Sequence, residues 1–143
     1  MLVGVREYIY TILLPFMEGI PMNKGDLEGL KIRLTEGRSA LLSMLDEKDK
    51  AKQADCHAKI KKATAEININ IPSMIGKEKG AACESKLNEL QAAWVIFRDG
   101  RDNNVIPALL AGRVDEAKAI GTGVQKERFA RVISIIDGLL AQT

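Results

Sequence analysis

The sequence has few of the residues that metal and redox sites require, with two cysteines and one histidine among 143 residues. A structural zinc site takes about four cysteine and histidine ligands. Covalent haem attachment needs Cys-x-x-Cys-His, and His57 follows Cys56 without the upstream cysteine. A single histidine also cannot supply the paired Glu-x-x-His elements of a di-iron bundle. We therefore expect no metal, no cofactor and, because no third orienting group accompanies Cys56 and His57, no enzymatic activity.

Aromatic residues and prolines are scarce as well: aromatics make up 4% of the chain and there are four prolines. The hydrophobic 46% is mostly alanine, isoleucine, leucine and valine, a mixture that favours packed helices over a β-sandwich or barrel. Charged residues make up 28%, and this balance of apolar and charged residues excludes a disordered chain. At this length we expect one domain over residues 1–143.

Neither sign of charge dominates, because 21 basic and 19 acidic residues leave a net charge of +2. A nucleic-acid-binding domain is normally clearly basic, so this balance argues against that class. The lysines between residues 48 and 62 look like a basic patch, but acids are interleaved with them and no phenylalanine, tyrosine or tryptophan is present to stack on bases. We interpret them as a solvent-exposed helix face and expect no nucleic-acid partner.

Long apolar runs are absent. The most apolar run, residues 8–17, is half of the roughly 20 residues that a membrane-spanning helix needs. Arg6 and Glu7 interrupt the start and no small-residue cleavage site follows, so a signal peptide is not indicated. The chain is then either a whole cytosolic protein or a soluble piece of a larger one. Its abrupt start and the apolar helical pattern at its end favour the second.

Apolar residues recur at three- and four-residue steps along the whole sequence, which predicts helices over 3–46, 50–73, 80–111 and 114–143. Pro15 and Pro21 are expected to bend or interrupt the first helix, and Pro72 to end the second. Long helices with short connections predict an all-α, antiparallel, up-down-up-down four-helix bundle. The stripes that form its core are Leu27, Leu30, Leu34, Leu41 and Leu45; Ile60, Ala63, Ile67, Ile71 and Met74; Leu87, Leu90, Trp94, Phe97, Val105, Ala108 and Leu109; and Val124, Val132, Ile135, Ile136 and Leu139.

Three stretches resemble the extracytoplasmic four-helix-bundle sensor domain of bacterial methyl-accepting chemotaxis receptors. Tyr10-Thr-Ile-Leu-Leu-Pro15 is similar to the run that follows the first membrane span in that family. Leu90-Gln-Ala-Ala-Trp94-Val-Ile-Phe97-Arg98 is similar to its third helix. The strongest likeness is Ile106-Pro-Ala-Leu-Leu-Ala-Gly112-Arg-Val-Asp-Glu-Ala117, which is similar to the turn between its third and fourth helices. The resemblance covers the whole chain, and its motifs concern architecture more than ligand.

The resemblance implies a fragment of a larger, membrane-anchored receptor that forms a homodimer. Membrane helices would lie outside the chain at both ends, the domain would be periplasmic, and cytoplasmic signalling modules would follow. In that arrangement Cys56 and Cys83 lie toward opposite ends of the bundle, more than about 15 Å apart by helical rise. A disulfide allows Cα separations of only about 4.4–6.8 Å, so we expect no bond between them.

The resemblance also implies a first set of ligand-binding residues. In the family, arginines of the first helix from both protomers hold the carboxylates of a small ligand, and a threonine of the fourth helix assists. Arg33 and Arg38 match the spacing of those arginines, although Leu42 stands at the next basic position. Thr122 lies between Gly121 and Gly123, which indicate a close approach by a neighbouring helix or by a ligand. The alternative is that both arginines lie along the surface with packed stems.

A second set lies on the third helix. Trp94, Arg98, Arg101 and Asn104 fall close to one line that faces, at least partly, the interior. An arginine there is costly to bury unless it is paired, and Asp99 and Asp102 are expected on other faces. These residues would hold an organic acid inside one protomer, as in other receptors of this fold. The alternative is a structural salt-bridge network with acids of the first or second helix.

We therefore expect a non-enzymatic domain that binds a small anionic molecule, such as an organic acid or amino acid, and transmits a conformational signal through its last helix. One alternative is the sensor domain of a histidine kinase or of a cyclic-dinucleotide enzyme, which use the same bundle. The other is a free-standing soluble bundle acting as an electron carrier or adaptor.

Overall fold

The computed structural model describes residues 24–143, and these residues form an all-α helical bundle. Its helices are α1 (Lys24–Asp46), α2 (Lys50–Lys77), α3 (Glu84–Gly100), α4 (Ile106–Leu110), α5 (Val114–Thr122) and α6 (Val124–Leu140), and a π-helical turn (Arg101–Val105) joins α3 to α4. No strand occurs in this part of the chain. The predicted start of the first helix at residue 3, the bends at Pro15 and Pro21, and the Tyr10–Pro15 motif lie outside the described residues.

The predicted end of the second helix at residue 73 is wrong. α2 continues through Pro72 to Lys77. Proline lacks a backbone N–H and disfavours a helix interior, but Ile71 and Met74 on either side of Pro72 are buried in the core. Their burial outweighs one lost hydrogen bond, so the helix ends one turn later. The third segment correspondingly starts at Glu84 and not at 80, after a turn in which Gly80 takes a φ of +82°.

The third and fourth segments are interrupted where the sequence predicted continuous helices. The π turn widens the third segment directly before Pro107, and the Ile106 N–H bonds the Arg101 carbonyl five residues back. In the fourth segment Gly123 has φ −99° and ψ −107°, which separates α5 from α6. α6 ends at Leu140 and not at 143. Both interruptions depend on backbone geometry that apolar periodicity does not report.

Two clusters of buried side chains form the core, and all but two of the predicted stripe residues named above belong to them. The first contains Leu30 of α1, Ile71 of α2, Leu90 of α3 and Ile136 of α6. The second contains Leu41 of α1, Ile60 of α2, Leu109 of α4 and Ala117 of α5. The exceptions are Val124, which is 43% exposed beside the fully buried Gln125, and Ala63, which is buried but belongs to neither cluster.

The helices pack around this core in chain order. α1 contacts α2, α2 contacts α3, α3 contacts α6, and α6 contacts α1, so the ring of four segments is closed. Within residues 24–143 no helix has the length and apolar character that crossing a membrane requires.

Candidate functional site

Three polar side chains are buried between the two apolar clusters. Arg38 is 9% exposed, Arg101 is 3% exposed and Gln125 is fully buried. Along α1, Arg38 falls between the leucines of the first cluster and those of the second, and Arg101 and Gln125 hold the same position in the third and fourth segments. Thr64 of α2 bonds to Arg101 and completes a layer that crosses all four segments. We call Arg38, Thr64, Arg101 and Gln125 the polar layer.

Arg38 is a buried cation that forms no ion pair with any residue of the range 24–143. Its Nη1 is inaccessible to solvent and has no hydrogen-bond partner among the described residues. Its Cζ lies 5.7 Å from the ring centroid of Phe129 on α6, a cation–π contact. Burial lowers the pKa of the Arg38 guanidinium below its ordinary value, yet arginine stays charged in proteins. The site therefore has an unneutralised positive charge and an unused donor directed into the protein.

Arg101 is, by contrast, fully partnered. Its guanidinium bonds Asp102 through Nε at 2.8 Å and Nη2 at 3.3 Å, and Nη2 also donates to Thr64 Oγ1 at 2.6 Å. Its Cζ lies 5.7 Å from the ring of Trp94 and 5.9 Å from that of Phe97. Asp102 is 40% exposed and so lies on a different side of the segment from the buried Arg101, as expected, but its carboxylate still reaches the guanidinium, so the implied lack of pairing is wrong.

Arg98 likewise pairs with the acid that follows it in the sequence. Its Nε donates to Asp99 Oδ1 at 3.0 Å, so the adjacent acid, and not an acid of the first or second helix, neutralises it. Arg98 Nη1 and Trp94 Nε1 both donate to Asn68 Oδ1 of α2, at 3.2 and 2.9 Å. The predicted set of Trp94, Arg98 and Arg101 is thus brought together, and α2 provides amide and hydroxyl oxygens as its partners.

The other predicted set is not brought together. Arg33 forms an ion pair with Glu66 of α2, with 2.9 Å between Nε and Oε2, whereas Arg38 faces α6. Thr122 is exposed and its hydroxyl donates to the Lys118 carbonyl of its own helix at 2.6 Å. The glycines beside Thr122 have structural roles. A Cβ on Gly121 would lie 3.0 Å from Leu45 Cδ1, and Gly123 forms the helix break.

Sequence reasoning missed Gln125 and the glycine that accommodates it. Gln125 Nε2 donates to the Phe97 carbonyl at 2.8 Å, and its Oε1 accepts from Arg128 Nη1 at 2.9 Å. A Cβ on Gly100 would collide with the side chains of Gln125 and Arg128, so only glycine leaves them room. Gln125 lies four residues after the buried Gly121 and seven before the buried Val132, but a search for apolar residues passes over a glutamine in that register.

The structure also bears on the two cysteines and on potential metal ligands. Cys56 and Cys83 are not joined in a disulfide, which confirms that prediction. Burial, followed by the nearby Glu78, raises the pKa of the Cys83 thiol, so it is not an activated nucleophile. No group of three or more potential ligands that could hold a metal occurs within residues 24–143.

Comparisons with known protein families, curated proteins and solved structures find no match for this chain.

Proposed function

We propose that this chain is the ligand-sensing domain of a transmembrane chemoreceptor and that it binds a small anion through the polar layer. The observation that carries the proposal is Arg38, whose buried guanidinium has no counter-ion among the described residues. A buried cation is costly unless it is paired, and guanidinium groups bind carboxylates with charge-assisted hydrogen bonds. A carboxylate at Arg38 would supply both the missing charge and the missing acceptor.

The proposed architecture is the antiparallel, up-down-up-down arrangement of four helices. Residues 47–49 are the only link between α1 and α2, and so short a connection favours reversal of chain direction. The sequence resemblance supports the rest of the proposal: membrane helices outside the chain, a periplasmic location and cytoplasmic modules driven by the last helix. A ligand would act by binding one of two helix arrangements more tightly than the other.

A direct test is thermal unfolding against small carboxylates and amino acids, with a neutral sugar as control. A ligand at about 100 times its dissociation constant is expected to stabilise the domain by about 2.7 kcal/mol. We expect Arg38→Met to abolish this stabilisation and Arg33→Met to retain it, since Arg33 is already paired with Glu66. Stabilisation that survives Arg38→Met, or no stabilisation by any anion in the panel, would count against the proposal.

A homodimer through α1 is part of the same proposal. Ile32, Thr35, Ser39 and Leu42 are all exposed and follow one another at steps of three, four and three residues. Such spacing is the a/d pattern of helices that pair in a coiled coil. Ile32 is 59% exposed and Leu42 is 38% exposed, so two large apolar side chains of this row are accessible to a partner.

We expect Ile32→Glu to shift the sedimentation-equilibrium mass from dimer to monomer, because a charge would be buried in the pairing seam. Ile69→Glu is the matched control, since Ile69 is 70% exposed but lies on α2. Equal behaviour of the two variants, or a monomeric parent protein at the concentrations of the ligand assay, would refute pairing through α1.

A further inference from the structure

A groove of about 480 Å³ lies on the surface between α2 and the π turn. α2 contributes His57, Lys61, Thr64 and Asn68 to it, and Arg101 lines it from the π turn. Its volume falls in the range of small-molecule sites, about 300–1,000 Å³. The groove is separate from Arg38, which does not line it.

The polar side of this groove offers hydrogen-bond donors. Asn68 Oδ1 already accepts from Trp94 and Arg98, so the side-chain amide has its NH₂ group left to donate. Thr64 Oγ1 accepts from Arg101 and keeps its own hydrogen for an acceptor. Lys61 forms no ion pair with any residue of the described range. An acceptor-rich, negatively charged group matches this set.

The net charge of the groove is positive, which also favours a negatively charged ligand. Asp102 is the acid that lines it, and both of its carboxylate oxygens accept from Arg101. Because Asp102 and Arg101 neutralise each other, the Lys61 ammonium is the remaining uncompensated charge of the groove. Burial, and then the charge of Lys61, lowers the pKa of His57, with Arg101 acting in the same direction and Asp102 against it. The groove is therefore electropositive before any proton is added to His57.

The opposite side of the groove is apolar. Pro107 and Leu110 line it, and Leu110 is 55% exposed. Leu110 belongs to the short helix α4, which the π turn positions across from α2. An apolar body lying on this side would cover surface that is otherwise in contact with water.

We propose that the groove binds a small monocarboxylate, with the carboxylate between Lys61, Thr64 and Asn68 and the apolar body on Pro107 and Leu110. One negative charge is required, since one uncompensated cation is present. This inference goes beyond the proposed sensing function, because the groove shares Thr64 and Arg101 with the polar layer but does not use Arg38, and it can exist whether or not that arginine binds a ligand.

His57 provides a site-specific probe, because it is the one histidine in the chain and its ring gives a single set of NMR signals. We expect benzoate to shift these signals saturably and benzamide, its neutral counterpart, to leave them unchanged. An anion beside the imidazole favours its protonated form, so bound benzoate raises the pKa of His57. Benzoate affinity is then expected to increase as the pH falls through the range in which His57 titrates.

We expect Lys61→Gln to weaken benzoate binding about tenfold, the effect of losing one charge-assisted hydrogen bond. Lys62→Gln is the matched control, since Lys62 follows directly on α2 but lines a different groove. Equal weakening by both variants, a response to benzamide as large as that to benzoate, or unshifted His57 signals would overturn the proposal. Binding that depends on Arg38 and not on Lys61 would also overturn it while leaving the sensor function standing.

Discussion

Replacement of Arg38 by methionine is expected to raise the free energy of unfolding by about 1–3 kcal/mol, although it removes a contact seen in the structure. The desolvation of a buried ion costs several kcal/mol, and the cation–π contact with Phe129 returns about 1 kcal/mol. Desolvation therefore outweighs the contact. Methionine keeps an unbranched apolar stem and adds no unpaired donor, so the cost disappears and the packing is retained.

Urea denaturation followed by Trp94 fluorescence measures this effect directly, because Trp94 is the one tryptophan and is fully buried. Arg33→Met is the control, and its expected change is about 0–1 kcal/mol, since exposed ion pairs contribute little. An Arg38→Met protein that unfolds at lower urea than the parent would contradict the prediction. A gain in stability together with a loss of ligand response would fit a residue retained for binding at the expense of stability.

Trp94→Ala is expected to lower the free energy of unfolding by about 3–5 kcal/mol. Trp94 is fully buried, its Nε1 bonds Asn68 Oδ1 at 2.9 Å, and the Arg101 guanidinium lies over its ring. Truncation leaves a cavity between α2 and α3 and removes the aromatic partner of a buried cation. Since a domain is stable by only about 5–15 kcal/mol, this one change removes a large share of the total.

Trp94→Phe separates packing from hydrogen bonding in the same position. Phenylalanine keeps most of the apolar ring but cannot donate to Asn68, whose Oδ1 still accepts from Arg98, so we expect a loss of about 1–2 kcal/mol. Both variants lack tryptophan and are followed by far-ultraviolet circular dichroism. A Trp94→Ala loss within about 0.5 kcal/mol, the range typical of surface substitutions, would be incompatible with a core role.

The helical core could be predicted from the sequence because it depends on periodicity alone. The leucines of α1 and the isoleucines of α2 recur with the helical period, and burial of one face follows wherever such a helix packs. Val124 shows where this reasoning fails. Gln125 lies four residues after the buried Gly121 and seven before the buried Val132, so the same helical period places this polar residue, and not its apolar neighbour Val124, on the core face.

The candidate site was harder to predict because pairing depends on side-chain reach across helices. Sequence spacing placed Arg33 and Arg38 together, but they lie about 140° apart around an ideal helix and contact α2 and α6 respectively. Asp102 was assigned to another face, yet its carboxylate reaches the Arg101 guanidinium, as that of Asp99 reaches Arg98 on the regular helix α3. That no acid of residues 24–143 pairs with Arg38 follows only from their positions in three dimensions, which sequence spacing does not give.

In the proposed sensor, the break at Gly123 bears on how the last segment would carry a displacement. A continuous helix transmits an axial displacement from one end to the other, whereas an interrupted helix can bend at the interruption. The stiff portion is α6, 17 residues or about 25 Å long, and its first turn carries Gln125 of the polar layer. A displacement at Phe129 or Gln125 would therefore act on α6 directly, while one at the turn before α5 would have to cross the break at Gly123 first.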